Sequence, residues 1–229
     1  MNTDLTTLIE LPALPLAHRV RAPQTGPIEG SPCLLLLHGV GANELGLVNM
    51  ARLLDPRLTV ILVRSPLAFG PMQFGFFQVN FTASGPVINA AQAEQARQGL
   101  TTFISGLPGA YGIDGRRVWI AGFSQGGILS ASVGLTRPDL VRGFGILSGR
   151  ILPEIGPLVA PPDQLADLHA FLSHGEHDEK LPIDFARSAH ALLLEKGVQL
   201  TYQEFPAGHE LNAAMLDAFN QWLSGQLSR

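Results

Sequence analysis

Hydrophobic positions along this chain fall into two alternating textures. Short, mostly apolar runs occupy residues 32–38, 58–63, 118–121, 141–147 and 170–173. Apolar runs of that length, without polar alternation, predict strands buried on both faces. Between them lie longer stretches. Residues 43–54 carry apolar side chains at 45, 47, 48, 50, 51, 53 and 54, which predicts a helix stopped before Pro56. Residues 88–104, 127–135, 183–196 and 211–227 read as further helices. Gln199–Phe205 alternates like a strand, and residues 8–21, interrupted by Pro12 and Pro15, read as one or two edge strands. Strands alternating with helices predict an α/β fold with a mostly parallel central sheet covered by helices on both faces. Right-handed crossovers follow from strand twist.

Two segments break the alternation. Residues 65–87 contain Pro66, Gly70, Pro71, Gly75, Gly85 and Pro86, with Phe69, Met72, Phe74, Phe76, Phe77 and Phe81 among them. Residues 149–167 form a proline-rich excursion after the fourth apolar run. No repeat, low-complexity stretch or linker divides the 229 residues, so a single domain over 1–229 is expected.

Composition narrows the function. Apolar residues make up 46% and charged residues 15%, which argues for a filled core and is compatible with self-association as a homodimer. A net charge of −4 with no Lys or Arg run offers no footprint for nucleic acid. The single cysteine, Cys33, sits inside an apolar run and reads as a small core residue. Met1-Asn2-Thr3-Asp4 lacks a basic leader, and no stretch approaches the ~18 apolar residues of a membrane span. A soluble, cytoplasmic protein is expected.

The chemistry centres on Gly122-Phe123-Ser124-Gln125-Gly126, placed between the third apolar run and a predicted helix. A serine at the tip of a sharp strand-to-helix turn needs small residues two positions away on either side. Such a serine needs a base. His209, in the loop between the last strand and the last helix, is aimed at the carboxyl edge of the sheet. The orienting acid belongs after the preceding strand, where Glu176, Asp178 and Glu179 compete, with Asp178 preferred. Hydrolysis also needs two oxyanion donors. The Gln125 amide opens the helix behind Ser124, and Gly39 and Gly41 would let the Val40 amide turn towards it. His38 reads as a buried hydrogen-bonding residue rather than an acid or base. His174 and His177 lack the further ligands of a metal site, so neither metal nor organic cofactor is expected.

Leu37-His38-Gly39-Val40-Gly41-Ala42-Asn43-Glu44, Arg64-Ser65-Pro66, Gly122-Phe123-Ser124-Gln125-Gly126-Gly127, His174-Gly175-Glu176-His177-Asp178 and Gly208-His209 occur in one order. From about Cys33 onward the chain resembles the phospholipase/carboxylesterase family of the α/β-hydrolase fold, which includes acyl-protein thioesterases and small bacterial carboxylesterases. The resemblance implies a triad of Ser124, Asp178 and His209, with Val40 and Gln125 as oxyanion donors. It implies hydrolysis of a small-molecule ester, thioester or lysophospholipid through an acyl-enzyme. Two departures bear on substrate. Many members carry Trp near the Phe76-Phe77 pair, and many have Asp where this chain reads Ala42-Asn43-Glu44. Phe74, Phe76 and Phe77 are the expected acyl-binding residues. A binding module with an inert triad and an acyltransferase using the same serine are the alternatives.

Overall fold

The apolar runs become the middle of a seven-stranded sheet, in a computed structural model that describes residues 5–82 and 85–228. The N-terminal tetrapeptide, on which the leader reading rests, lies outside them. In chain order the elements are β1 (His18–Arg21), β2 (Cys33–Leu37), α1 (Val48–Leu53), β3 (Thr59–Val63), β4 (Leu67–Gly70), β5 (Gln73–Gly75), β6 (Val79–Thr82), β7 (Gly85–Ile88) and α2 (Ala90–Tyr111). Then follow β8 (Val118–Phe123), α3 (Gln125–Thr136), β9 (Gly143–Leu147), α4 (Pro162–Leu165), β10 (His169–Gly175), α5 (Asp184–Glu195), β11 (Gln199–Phe205) and α6 (Ala213–Leu227). The sheet runs β1-β3-β2-β8-β9-β10-β11, parallel except for β1, which pairs antiparallel with β3 at one edge.

Each central strand feeds two cores because successive side chains point to opposite faces. On β2, Cys33, Leu35 and Leu37 face a layer containing α2, α3 and α5, with Leu100, Phe103, Leu129 and Leu193 buried there. Leu34 and Leu36 face the other layer, built with Met50 and Ala51 of α1 and Phe219 and Leu223 of α6. Cys33 is fully buried, as its setting in an apolar run predicts.

Three elements differ from the pattern reading. The helix predicted from residue 43 opens as a 3-10 turn over Glu44–Leu47, capped by the Asn43 side chain on Leu45 N, before α1 begins. α2 runs on past the predicted end at Ile104 to Tyr111, through Gly106, Pro108 and Gly109, which weaken a helix locally. Burial of Leu107 and Tyr111 outweighs that local weakness, and Gly112 closes the helix in the left-handed region. Residues 65–87 hold two small hairpins, β4–β5 and β6–β7, instead of irregular loop.

Candidate active site

Ser124 lies between the last residue of β8 and the first of α3, with φ 53° and ψ −115°. Positive φ at a serine is strained and persists only when its surroundings enforce it. The enforcement is visible on both sides. Ser124 N donates to Leu147 O of β9 at 2.8 Å, and Ser124 O accepts from Ile128 N of α3 at 3.0 Å. The flanking glycines are sterically required. A Cβ on Gly122 would lie 2.4 Å from Gly126 C, and one on Gly126 would lie 2.2 Å from Leu37 O.

The Ser124 hydroxyl donates to His209 Nε2 at 2.9 Å, and His209 Nδ1 donates to Asp178 Oδ2 at 2.6 Å. The structure thus brings the three sequence-selected residues into one hydrogen-bonded line. Glu176 and Glu179, the rivals of Asp178, are exposed. Asp178 is buried, and its Oδ1 accepts from the backbone amides of Lys180 and Leu181. Burial works against its ionisation, but hydrogen bonds involving His174, His209 and Leu181 N outweigh it and hold the carboxyl well below the usual carboxylate range. The loops that carry Asp178 and His209 are laced together: Glu176 N donates to Phe205 O, and His177 N to Ala207 O.

His174 was not anticipated. It is fully buried on β10, its Nε2 donates to Leu181 O at 2.7 Å, and the same nitrogen lies 3.3 Å from Asp178 Oδ2. It therefore fixes the turn that carries Asp178. The i, i+4 spacing from Asp178 was the one signal available.

The loop after β2 approaches the serine from the other side. A Cβ on Gly39 would sit 3.4 Å from Ser124 Cβ, so this peptide packs directly on Ser124. Ser65 N can only donate, so His38 Nε2 is an acceptor, and Nδ1–H donates to Gly39 O at 2.8 Å. Burial lowers the His38 pKa and keeps the ring neutral. Because a trans peptide sets its C=O and the following N–H on opposite sides, pinning Gly39 O also orients the Val40 amide. Among the described residues, the Gly41 amide is taken by Phe74 O and the Ala42 amide by Gly39 O, while those of Val40 and Gln125 find no protein acceptor.

Gln125 does more than supply an amide. Its buried side chain accepts from Phe76 N at 2.7 Å and donates to Phe77 O at 2.7 Å, tying the hairpin segment to the start of α3. Phe76 and Phe77, expected to line the acyl site, have their side chains in the core, each 1% exposed. Phe74 is half-buried under the Arg64 guanidinium, and its backbone bridges Ala42. Among the described residues, the large apolar side chains exposed in this region are Phe69, Met72, Phe81 and Val87.

A serine strained on a strand-to-helix turn, linked through histidine to a buried acid at the carboxyl edge of a parallel sheet, is the arrangement of the α/β-hydrolase fold. Residues 24–227 match the model of the family described as Phospholipase/Carboxylesterase. This chain belongs to the phospholipase/carboxylesterase family. With that family it is an enzyme of the serine hydrolases that act on ester bonds. It is similar to the putative hydrolase MhqD of Bacillus subtilis, 25% identical over 189 residues that cover 82% of this chain and 90% of MhqD. It is also similar to acyl-protein thioesterase 1 of Neurospora crassa, 30% identical over 121 residues. That match covers 52% of this chain and about half, 49%, of the thioesterase. The crystal structure of a carboxylesterase from Mesorhizobium loti has the same fold, with a TM-score of 0.80 at 23% identity, covering 97% of this chain and 100% of the other. No helix of the described residues is long and apolar enough to cross a membrane.

Proposed function

We propose that this protein is a serine carboxylesterase that hydrolyses small carboxylic esters through an acyl-enzyme on Ser124. The observation that carries the reading is the continuous hydrogen-bonded line from Ser124 through His209 to Asp178. His209 takes the hydroxyl proton as Oγ attacks the ester carbonyl, and Asp178 holds the imidazole and stabilises its cation. The amides of Val40 and Gln125 receive the oxyanion. Collapse of the tetrahedral intermediate expels the alcohol, protonated by His209, and leaves the acyl group on Ser124. Water activated by the same histidine then releases the acid. No metal or organic cofactor takes part in these steps. A thioester presents the same carbonyl to the same groups, and the similarity to an acyl-protein thioesterase keeps thioesters within the substrate class.

The test is labelling with a fluorophosphonate together with initial rates on 4-nitrophenyl esters from acetate to palmitate, wild type beside Ser124→Ala. Labelling and hydrolysis that vanish together in the variant are the expected result, and hydrolysis that survives in Ser124→Ala refutes the reading. Accumulation of a transesterified product in the presence of an alcohol acceptor would instead favour acyl transfer.

A further inference from the structure

A groove of 770 Å³ runs between the β6–β7 hairpin and the start of α5. Phe81 and Pro86 wall it on one side, and Lys180, Pro182 and Phe185 on the other. Lys180 follows closely on Asp178, so the groove begins at the acid loop of the catalytic line.

Arg150 connects this groove to the nucleophile. Its backbone leaves the sheet beside Ser124, for a Cβ on the preceding Gly149 would lie 3.0 Å from Ser124 O. Its guanidinium stacks on the Phe185 ring at 4.9 Å and reaches Pro86 O at 3.5 Å, touching both walls. Stacking occupies the flat face of a guanidinium and leaves its in-plane fork of N–H donors free.

Those donors are conspicuously unused. Among the described residues Arg150 Nε is buried without a hydrogen-bond partner, and the Pro86 contact is long. Several other sheltered arginines are better provided for: Arg19 and Arg64 share Glu44, Arg97 pairs with Glu94, and Arg21, although its Nε also lacks a partner among the described residues, donates through its other nitrogens to three backbone carbonyls. Arg150 has only the distant attraction of Glu154 to offset its burial. A half-buried guanidinium without a counter-ion is costly, and an arriving anion would recover that cost as binding energy. Glu179 and Asp184 also border the groove, but both are exposed, where water and salt screen their charge.

We propose that Arg150 is a specificity-determining residue, and that it receives the anionic end, a carboxylate or phosphate, of an ester whose apolar part lies along the Phe81–Phe185 groove. This rests on the assignment of Ser124 as nucleophile.

The experiment uses esters of similar shape that differ in charge. On the acyl side, 4-nitrophenyl pentanoate is compared with mono(4-nitrophenyl) adipate. On the alcohol side, phenyl acetate is compared with 4-acetoxybenzoate and 4-acetoxyphenyl phosphate, which separate carboxylate from phosphate. In the wild type one series should show KM for an anionic ester about tenfold below that of its neutral partner, the scale of a charge-assisted bidentate contact. Arg150→Gln should cut the ratio of anionic to neutral kcat/KM by about tenfold, and Arg150→Lys should restore part of it. The ratio is the readout because a folding defect lowers both rates together. Should Arg150→Gln not fold, inhibition of wild-type phenyl acetate hydrolysis by benzoate, but not by benzyl alcohol, supports the same site, and equal inhibition overturns it. Hydrolysis of neutral esters with no charge preference in either series overturns this proposal alone. Failure to hydrolyse any ester, with no fluorophosphonate labelling, overturns the Ser124 assignment and this proposal with it.

Discussion

Glu44→Gln should destabilise this protein far more than a loop substitution normally does. Glu44 is fully buried, two residues beyond Ala42 at the end of the loop that packs on Ser124. Its Oε1 accepts from Arg19 Nε at 2.9 Å and Arg64 Nη2 at 2.7 Å, and its Oε2 accepts from Arg64 Nε at 2.7 Å. The arginine side chains are only 10% and 19% exposed, so this is one carboxylate neutralising two sheltered cations. Glutamine preserves the shape but removes the charge, and its amide NH₂ would face a guanidinium donor. Breaking a buried ion pair from one side costs about 3–5 kcal/mol, because the remaining charge keeps its desolvation penalty. For a chain of this size each kcal/mol shifts the melting temperature by roughly 2–4 °C, so Tm should fall by roughly 6–20 °C. Scanning calorimetry at pH 7, wild type beside Glu44→Gln, makes the comparison. A Tm within about 2 °C of wild type would refute the buried-triad argument. The carboxylate also steadies the loop after β2, since Arg64 covers Phe74 and Phe74 bridges Ala42 in that loop. A measurable fall in kcat in the surviving folded fraction should therefore accompany the stability loss.

Other consequences are open to equally direct measurement. Asp178→Asn should lower kcat by roughly 10⁴-fold while Ser124 stays in place, since the acid sets the tautomer and orientation of His209; single-turnover rates on an activated ester check this, and a loss below about tenfold would refute it. The Asp178 and Glu44 carboxyls are both held below their ordinary pKa, so their folded forms bind protons less readily than the unfolded chain. Their stabilisation is therefore complete above about pH 5 and lost progressively as pH falls; a urea midpoint that stays flat from pH 7 to 3 would contradict the assignment. Phe76→Ala should cost about 3–5 kcal/mol and weaken hydrolysis of short and long esters alike, because the ring is in the core. A chain-length-selective effect at unchanged Tm would instead return Phe76 to the acyl wall. Gln125→Leu strands the buried Phe76 amide and Phe77 carbonyl, each worth about 1–3 kcal/mol, and a wild-type denaturant midpoint would show that the clamp is not needed.

Much of the site was legible because its chemistry coincides with local sequence constraints. Gly122 and Gly126 have to be glycine for Ser124 to stand on its turn, and the position of His209 after a strand follows from the α/β alternation. The strands were legible for the same reason, since solid apolar runs such as Cys33–Leu37 have few other places to go. What escaped the sequence depends on contacts between distant residues. Nothing around Phe76 and Phe77 signals that their backbone is clamped by Gln125, which turns a candidate pocket wall into core. Nor does the spacing of Arg19, Glu44 and Arg64 reveal one ion cluster, because it is assembled by the antiparallel edge pairing of β1 with β3. The helix read over residues 88–104 runs on to Tyr111, because tertiary burial carries it past Pro108.

Ser124 has a counterpart that explains why the strained turn is held so firmly. Ser148, at the end of the adjacent strand β9, also has positive φ, at 51°, and is fully buried. Its amide donates to Ser173 O of β10, just as the Ser124 amide donates to Leu147 O of β9. Two neighbouring strands therefore end in a serine with unfavourable positive φ, each tied to the next strand across. At about 1–3 kcal/mol apiece, such residues survive only where packing over-determines them. The segment after Ser148 has no freedom to relax either, since Gly149 is pressed against Ser124 O and the N-terminus of α3. Substituting Gly149 by Ala would place a methyl 3.0 Å from that oxygen, so the two strained turns should move together. Ser124 is thus positioned by a rigid step built from β8, β9 and β10 together, and the glycine beside Arg150 is one of its bearing surfaces.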